Sequence, residues 1–179
     1  KMPISILQSK NKERKLACII SFIVDEGQVR DIVSLYSANK ILLNGVRRLV
    51  VDCGYACSDI QLNKKAHCYL FNLRNKDIKR LYQDAKELAK EFQTCNFSFK
   101  DEDMRFLIKI GGKRNARDKI LTDKKILKIL SENSYKARQI SRLMGYAYCT
   151  IIHHLRDLHR KGTLSREMMS DGSYVWKQP

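Results

Sequence analysis

Two groups of residues in this 179-residue chain have the types and spacing to do chemistry. The first lies between Tyr148 and Lys161. Tyr148, Cys149, Ile152, His153 and Arg156 fall on one side of a helical pattern whose other side is Ile151, Leu155 and Leu158. Side chains of this kind read base edges: an arginine holds guanine in a bidentate way, and an isoleucine suits the methyl group of thymine. Arg160, Lys161 and Arg166 follow and suit phosphates, and Thr150 adds a hydroxyl for a phosphate or a helix cap. The second group is Asp25 and Glu26, at the end of an apolar helical stretch. Carboxylates there face the negative end of the helix dipole, at a cost of about 0.3–1 kcal/mol each. Mg²⁺, which takes one or two carboxylates and keeps its waters, would offset that cost. An ion pair with Arg30 would do the same.

Cysteine and histidine offer less. Of the six cysteines, most fall inside apolar runs and read as small buried hydrophobes of a reducing compartment. Cys53 and Cys57, with His67 and Cys68 nearby, leave a zinc site open, but the C-x3-C spacing is loose and no second pair completes it. His153 and His154 are adjacent, point to different faces of a helix and do not make a ligand pair.

The elements that must position the first group are legible. Ile140, Leu143 and Met144 have helical spacing and stop at Gly145. A second periodic stretch starts near Ala147 and ends at Gly162, behind Arg160 and Lys161, a glycine stop with cations at the negative helix end. Asp171-Gly172 then suits a tight hairpin turn, with Tyr174 and Trp176 as packing residues. Helix, short turn, helix and β-ribbon form a winged helix-turn-helix, a module that sets one helix into a DNA major groove.

Charge agrees. The formal net charge is +16, with only 2 prolines and 8 glycines and 44% hydrophobic residues, which excludes a disordered or fibrous chain. From Asp123 on, 11 lysines and arginines face 5 acids, and the rest of the positive excess lies upstream. Double-stranded DNA is the partner this favours, because each neutralised phosphate releases condensed counterions. A membrane is not expected, since no stretch approaches the roughly 18 apolar residues of a spanning helix. No secretory signal shows at the start, so the expected setting is the cytoplasm, the nucleoid or the nucleus.

Upstream, a helix is expected over 11–26, with Leu16, Ile19, Ile20 and Ile23 inward and Ala17 and Ser21 on an adjacent small-residue stripe. A hairpin over 28–36 turns near Arg30-Asp31, with Gln28, Arg30 and Ser34 alternating on a face that suits a duplex. Ser37 caps a second helix with Leu42, Val46, Leu49 and Val50 inward. Strands over 58–62 and 66–73 follow. A third helix opens near Asn75 and carries Ile78, Leu81, Tyr82, Ala85, Leu88, Ala89 and Phe92. Residues 96–100 and 105–110 read as an extra hairpin, and a helix starts at Thr122-Asp123.

The order α-β-β-α-β-β-α and the nine residues IISFIVDEG, Ile19–Gly27, resemble the LAGLIDADG homing-endonuclease family over roughly residues 11–95. SANKILL, Ser37–Leu43, resembles the stretch opening that family's second helix. The resemblance implies an acid at Glu26 holding a divalent metal beside DNA, with Asp25 next to it, and a sheet that straddles the duplex. It also implies a sheet-borne lysine, with Lys64 or Lys65 as the nearest matches. This chain departs from the family twice. Asp25 stands where a small residue lets two motif helices touch, and one motif per chain requires a homodimer, packed through the first helix, to assemble an active site.

The expected fold class is α+β: a LAGLIDADG-like domain with an extra hairpin over 11–110, a basic linker over 111–119, and a winged helix-turn-helix over 120–179. Two functions compete. The favoured one is a sequence-specific double-stranded DNA-binding protein, a transcription regulator that needs no cofactor. The alternative is a Mg²⁺-dependent homodimeric endonuclease using Glu26. A structured-RNA binder is disfavoured, because the major groove of A-form RNA excludes helices.

Overall fold

The computed structural model describes residues 2–111 and 119–179, so nearly all of the expected linker lies outside the described residues. The chain divides into two compact units, Lys1–Gly111 and Gly112–Pro179. Both mix helices with antiparallel sheet, which makes the fold α+β. No described helix is long and apolar enough to cross a membrane.

The first unit opens with a single turn, α1 (Ile4–Leu7), and then α2 (Lys12–Glu26). The Asn11 side chain caps α2 by accepting the Arg14 N–H at 2.9 Å, and Leu16, Ile19, Ile20 and Ile23 face the core. The chain continues through β1 (Gly27–Val29), β2 (Val33–Ser37), α3 (Lys40–Asp52), β3 (Gln61–Asn63), β4 (Cys68–Asn72) and α4 (Asn75–Glu91). The sheet order is β1-β2-β4-β3. Val33, Leu35 and Phe71 point to the side that packs with the helices. The order α2 to α4 is the α-β-β-α-β-β-α that the resemblance implies.

Four details differ from the sequence reading. Ser37 does not cap α3, because it is still paired with Tyr69 in the sheet; Asn39 caps it instead, accepting the Leu42 N–H at 3.0 Å. β3 starts at Gln61 rather than Ser58, because Ser58 is bound at the β4 edge: its N–H donates to the Asn72 carbonyl at 2.8 Å. Phe92 lies beyond the end of α4 and is 51% exposed, off the apolar stripe it would extend. The largest correction concerns residues 96–110. They form no hairpin but a 3-10 turn, Ser98–Lys100, followed by α5 (Asp101–Ile110). Asp101, Glu102 and Asp103 stand in the first turn, where the helix dipole favours anions, and Met104 and Leu107 are buried at helical spacing.

The second unit comprises α6 (Lys119–Leu130), β5 (Tyr135–Lys136), α7 (Ala137–Met144), α8 (Tyr148–Arg160), β6 (Ser165–Met168) and β7 (Tyr174–Lys177). The strands pair in the order β5-β7-β6. Thr122-Asp123 does not start α6 but lies within it. Thr122 is buried, and Asp123 meets His154 Nδ1 at 2.6 Å. The core is Ile126, Leu130, Ile140, Ile151, Leu155, Leu158, Leu164 and Trp176. Trp176 is 1% exposed, and the His159 ring stands edge-on to it at 5.9 Å. Tyr174, expected to pack, is exposed instead: it shares the face of β7 that carries the buried Trp176 but stands two residues nearer the wing tip, beyond the core.

Candidate nucleic-acid interface

α7 and α8 meet at a turn that glycine makes feasible. Gly145 has φ +61°, in the left-handed region. The Tyr146 N–H then donates to the Ser141 carbonyl at 3.0 Å, and the Ser141 hydroxyl donates to the Tyr146 carbonyl at 2.6 Å. Gly162, at φ +73°, closes α8 in the same way. Polar contacts tie α8 to α6: His154 to Asp123, and Asp157 to Lys119 at 2.9 Å. Lys119, and Arg160 at 3.1 Å, hold the Asp157 carboxyl below the usual carboxylate range.

Those contacts leave one stripe of α8 outward. Cys149, His153, Arg156 and Arg160, spaced by 4, 3 and 4 residues, are all exposed, and Lys161 follows them at the surface. Arg156 and Lys161 make no ion pair with any described residue. Tyr148, Thr150 and Ile152 are only half exposed, and Tyr148 and Ile152 pack against the core. The outward face is therefore narrower than the sequence suggested, because it borders the Ile151–Leu155 side of the helix. A shallow depression beside it is lined by Cys149, Thr150, Ile152, His153, His154 and Arg156.

The wing stands after this helix. The Arg166 guanidinium lies over the exposed Tyr174 ring at 4.5 Å. At the wing tip, Lys136 pairs with Asp171 at 2.6 Å, and Asp171 also accepts the Ser173 N–H at 2.9 Å. Both contacts keep the Asp171 carboxyl far below its usual range.

In the first unit, Gln28 pairs with Ser34, and Ser34 with Asn72, across β1, β2 and β4 on the face turned away from the core. Arg30 is exposed beyond β1, but Ser34 is not. Its neighbours enclose it, and its hydroxyl donates to Asn72 Oδ1 at 2.7 Å, so it is not presented to a ligand as expected.

The end of α2 holds the residue that sequence reading missed. Asp25 and Glu26 are both exposed. The Lys100 ammonium donates to the main-chain carbonyls of Ile23 at 2.7 Å, Val24 at 2.5 Å and Gly27 at 2.5 Å. A cation so placed completes the open carbonyls of a helix terminus and contributes about 0.3–1 kcal/mol, rising to about 2 when partly buried. Burial pulls the Lys100 pKa below its ordinary value, against the charges of Asp25, Glu26 and Asp103. Gly27 fits this terminus by close approach: a Cβ there would lie 2.5 Å from the Ile23 oxygen. Lys100 thus completes the main-chain carbonyls of this terminus, and the Asp25 and Glu26 carboxylates stay exposed. Lys64 and Lys65 lie in the exposed turn between β3 and β4, at the opposite edge of the sheet from β1. The three acids after Lys100 were the available signal that this segment is a helix start and not a strand.

Among the described residues, no group of three or more His, Cys, Asp or Glu is placed to hold an ion. Cys53 is buried and Cys57 half-buried, and burial pushes both thiols up. His67 stands in an exposed turn at φ +48°.

Comparison with known proteins separates the two units. Solved structures of the homing endonuclease I-DmoI are similar to part of the chain. Mesophilic variants of I-DmoI match with 23% identity over 45% of each chain and a TM-score of 0.40. I-DmoI in complex with DNA and Mn matches with 24% identity over 41% of this chain and 42% of that one, with a TM-score of 0.38. The chain thus spans less than half the length of these structures. No curated protein matches it. Residues 122–165 match the family described as "Bacterial regulatory protein, arsR family". That span runs from α6 through α8 to the first residue of the wing, so the second unit carries a winged helix-turn-helix of the kind found in arsR-family bacterial regulatory proteins.

Proposed function

We propose that the chain is a sequence-specific double-stranded DNA-binding protein acting as a transcription regulator. The observation that carries this reading is the outward stripe Cys149, His153, Arg156 and Arg160 on α8, within a helix-turn-helix matched to a regulator family. In this reading the start of the stripe meets base edges and Arg156 reads guanine. Arg160, Lys161 and Arg166 hold phosphates, the last from the wing. Gln28 and Arg30 add a second contact from the first unit, whose role is binding or pairing with a second copy. Tyr148, Thr150 and Ile152 frame the stripe and contribute their exposed edges.

Cleavage is the weaker reading. One acid-bearing helix end per chain supplies half of what metal-assisted phosphodiester hydrolysis needs. The test is selection of bound duplexes from a random library, followed by incubation of the selected duplex with protein and Mg²⁺. A converged sequence bound without cutting, equally well by wild type and Glu26→Gln, is the expected result. Cutting that disappears in Glu26→Gln would overturn the regulator reading. Affinity should fall with salt at a slope of about −0.9 per phosphate contacted.

A further inference from the structure

The charges of α4 separate by side instead of alternating. Ile78, Leu81, Tyr82, Ala85 and Leu88 face the core. Lys76, Lys79, Gln83, Lys86 and Lys90, spaced by 3, 4, 3 and 4 residues, are all exposed and form one outward stripe. At 1.5 Å per residue the stripe is about 21 Å long. The acids lie on the flank toward α2, where Asp84, Glu87 and Glu91 line a groove shared with Lys12 and Glu13. Asp77 accepts the Ala56 N–H at 2.7 Å, and Asp84 accepts the Tyr55 hydroxyl, so both are engaged within the fold. Lys76, Lys79 and Lys86 make no ion pair with any described residue. Lys86 lies over the Tyr82 ring at 5.1 Å, and Lys90 is matched by Glu87 at 2.6 Å. A helix side that meets only water gains from opposite charges three or four residues apart. Here Lys76 stands beside Lys79, and Lys86 beside Lys90, pairings that destabilise a helix. Lys76 is also in the first turn, at the positive end of the helix dipole, where a cation is disfavoured. An anion with charges at regular intervals, laid along the stripe, removes each of these costs, and a phosphate backbone is such an anion. The sheet face that carries Gln28 and Asn72 is turned away from the core, so the core separates it from this stripe.

We infer that the outward stripe of α4 is a second nucleic-acid surface: Lys76, Lys79 and Lys86 hold the phosphate backbone of duplex DNA without reading its sequence. The inference deepens the proposed function and rests on its DNA-binding part. The α8 stripe selects the site, and α4 adds affinity that is equal for every sequence.

The test uses the full chain with Lys76→Gln, Lys79→Gln and Lys86→Gln combined. Binding is measured to the selected duplex and to a random duplex of equal length, from about 50 to 200 mM salt. Glutamine keeps the helix propensity of lysine, so the melting temperature should match wild type. Affinity for both duplexes should fall by one common factor, at least about tenfold at the lower salt. The salt slope should flatten by about 0.9 per phosphate released, up to about 2.7 for three. The preference for the selected duplex should not change, whereas Arg156→Ala should lower that preference. Should the triple variant melt early, Lys79→Gln alone decides, with a slope flatter by about 0.9. A wild type that binds DNA beside a triple variant of equal affinity and slope would overturn the inference and leave the α8 reading intact. A loss confined to the selected duplex would overturn it too. So would a triple variant that keeps its DNA affinity but no longer binds phosphatidylserine–phosphatidylcholine vesicles, which would make a lipid surface the partner. A wild type that binds neither duplex would end the regulator reading itself, and this inference with it.

Discussion

The end of α2 and the outward stripe of α8 are both places where charge gathers on a helix, and they are used in opposite ways. At α2, the ammonium of Lys100, from the same unit, is bound to three main-chain carbonyls beside the exposed Asp25 and Glu26. On α8, the charges that stabilise the fold lie on the side toward α6, at Asp157 and His154, and Arg156 and Lys161 are left without an ion pair among the described residues. A group whose charge is met from within supports the fold. A cation left exposed, on a helix whose other side carries the packing, is available to a partner. By this measure Lys100 is part of the fold, and the basic stripe of α8 is a surface left open to a partner.

The contrast can be broken in several ways. Trp176→Ala removes the largest buried side chain of the second unit. It should cost about 3–5 kcal/mol by thermal or urea unfolding and abolish DNA binding through loss of the fold. Gly27→Ala forces a Cβ against the Ile23 oxygen and should destabilise the first unit by about 1–3 kcal/mol in the same assay. An unchanged stability would show that the α2 terminus is loose. Arg156→Ala should behave in reverse: binding to the selected duplex weakens by about 1–3 kcal/mol and specificity relaxes at one base pair, while stability stays within about 0.5 kcal/mol of wild type. Lys161→Ala should weaken binding uniformly across sequences and reduce the salt slope by about 1.

pH should also separate the units. Asp171 and Asp157 have carboxyls lowered in the folded state, by Lys136 and Lys119 respectively. Their contribution is present above the ordinary carboxylate pKa and is lost as pH falls through the folded values. Tyr55 has the opposite sign. Burial, and then its hydrogen bond to Asp84, push its hydroxyl well above the ordinary tyrosine value. That contribution is complete below the ordinary value and is lost as pH rises through the folded one. Acid should therefore loosen the second unit first, as followed by amide NMR signals from each. The reverse order would contradict these assignments.

The second unit was the more legible in sequence. Gly145, Gly162 and Asp171-Gly172 mark its turns because a left-handed backbone leaves few residue choices, and Ile151, Leu155 and Leu158 mark the buried side of α8. Tyr148 and Ile152 were placed too far outward because a helix side has borders, where residues are half-buried. In the first unit, α2 and α4 followed their apolar stripes. Residues 96–110 did not, because Phe97 and Phe99 imitate strand alternation while the deciding signal, three acids opening a helix, lies further on. Lys100 could not be assigned from sequence at all. Its partners are main-chain oxygens, which leave no trace in residue type.

The most direct test is a titration of the isotopically labelled full chain with the selected duplex, following each amide signal. The expected result is that the largest changes fall at Cys149, His153, Arg156 and Arg160, extend to Arg166 on the wing, and are lost together in Arg156→Ala at unchanged stability. Changes confined to the first unit, or a titration in which the α8 stripe stays still, would contradict the claim that this helix reads DNA.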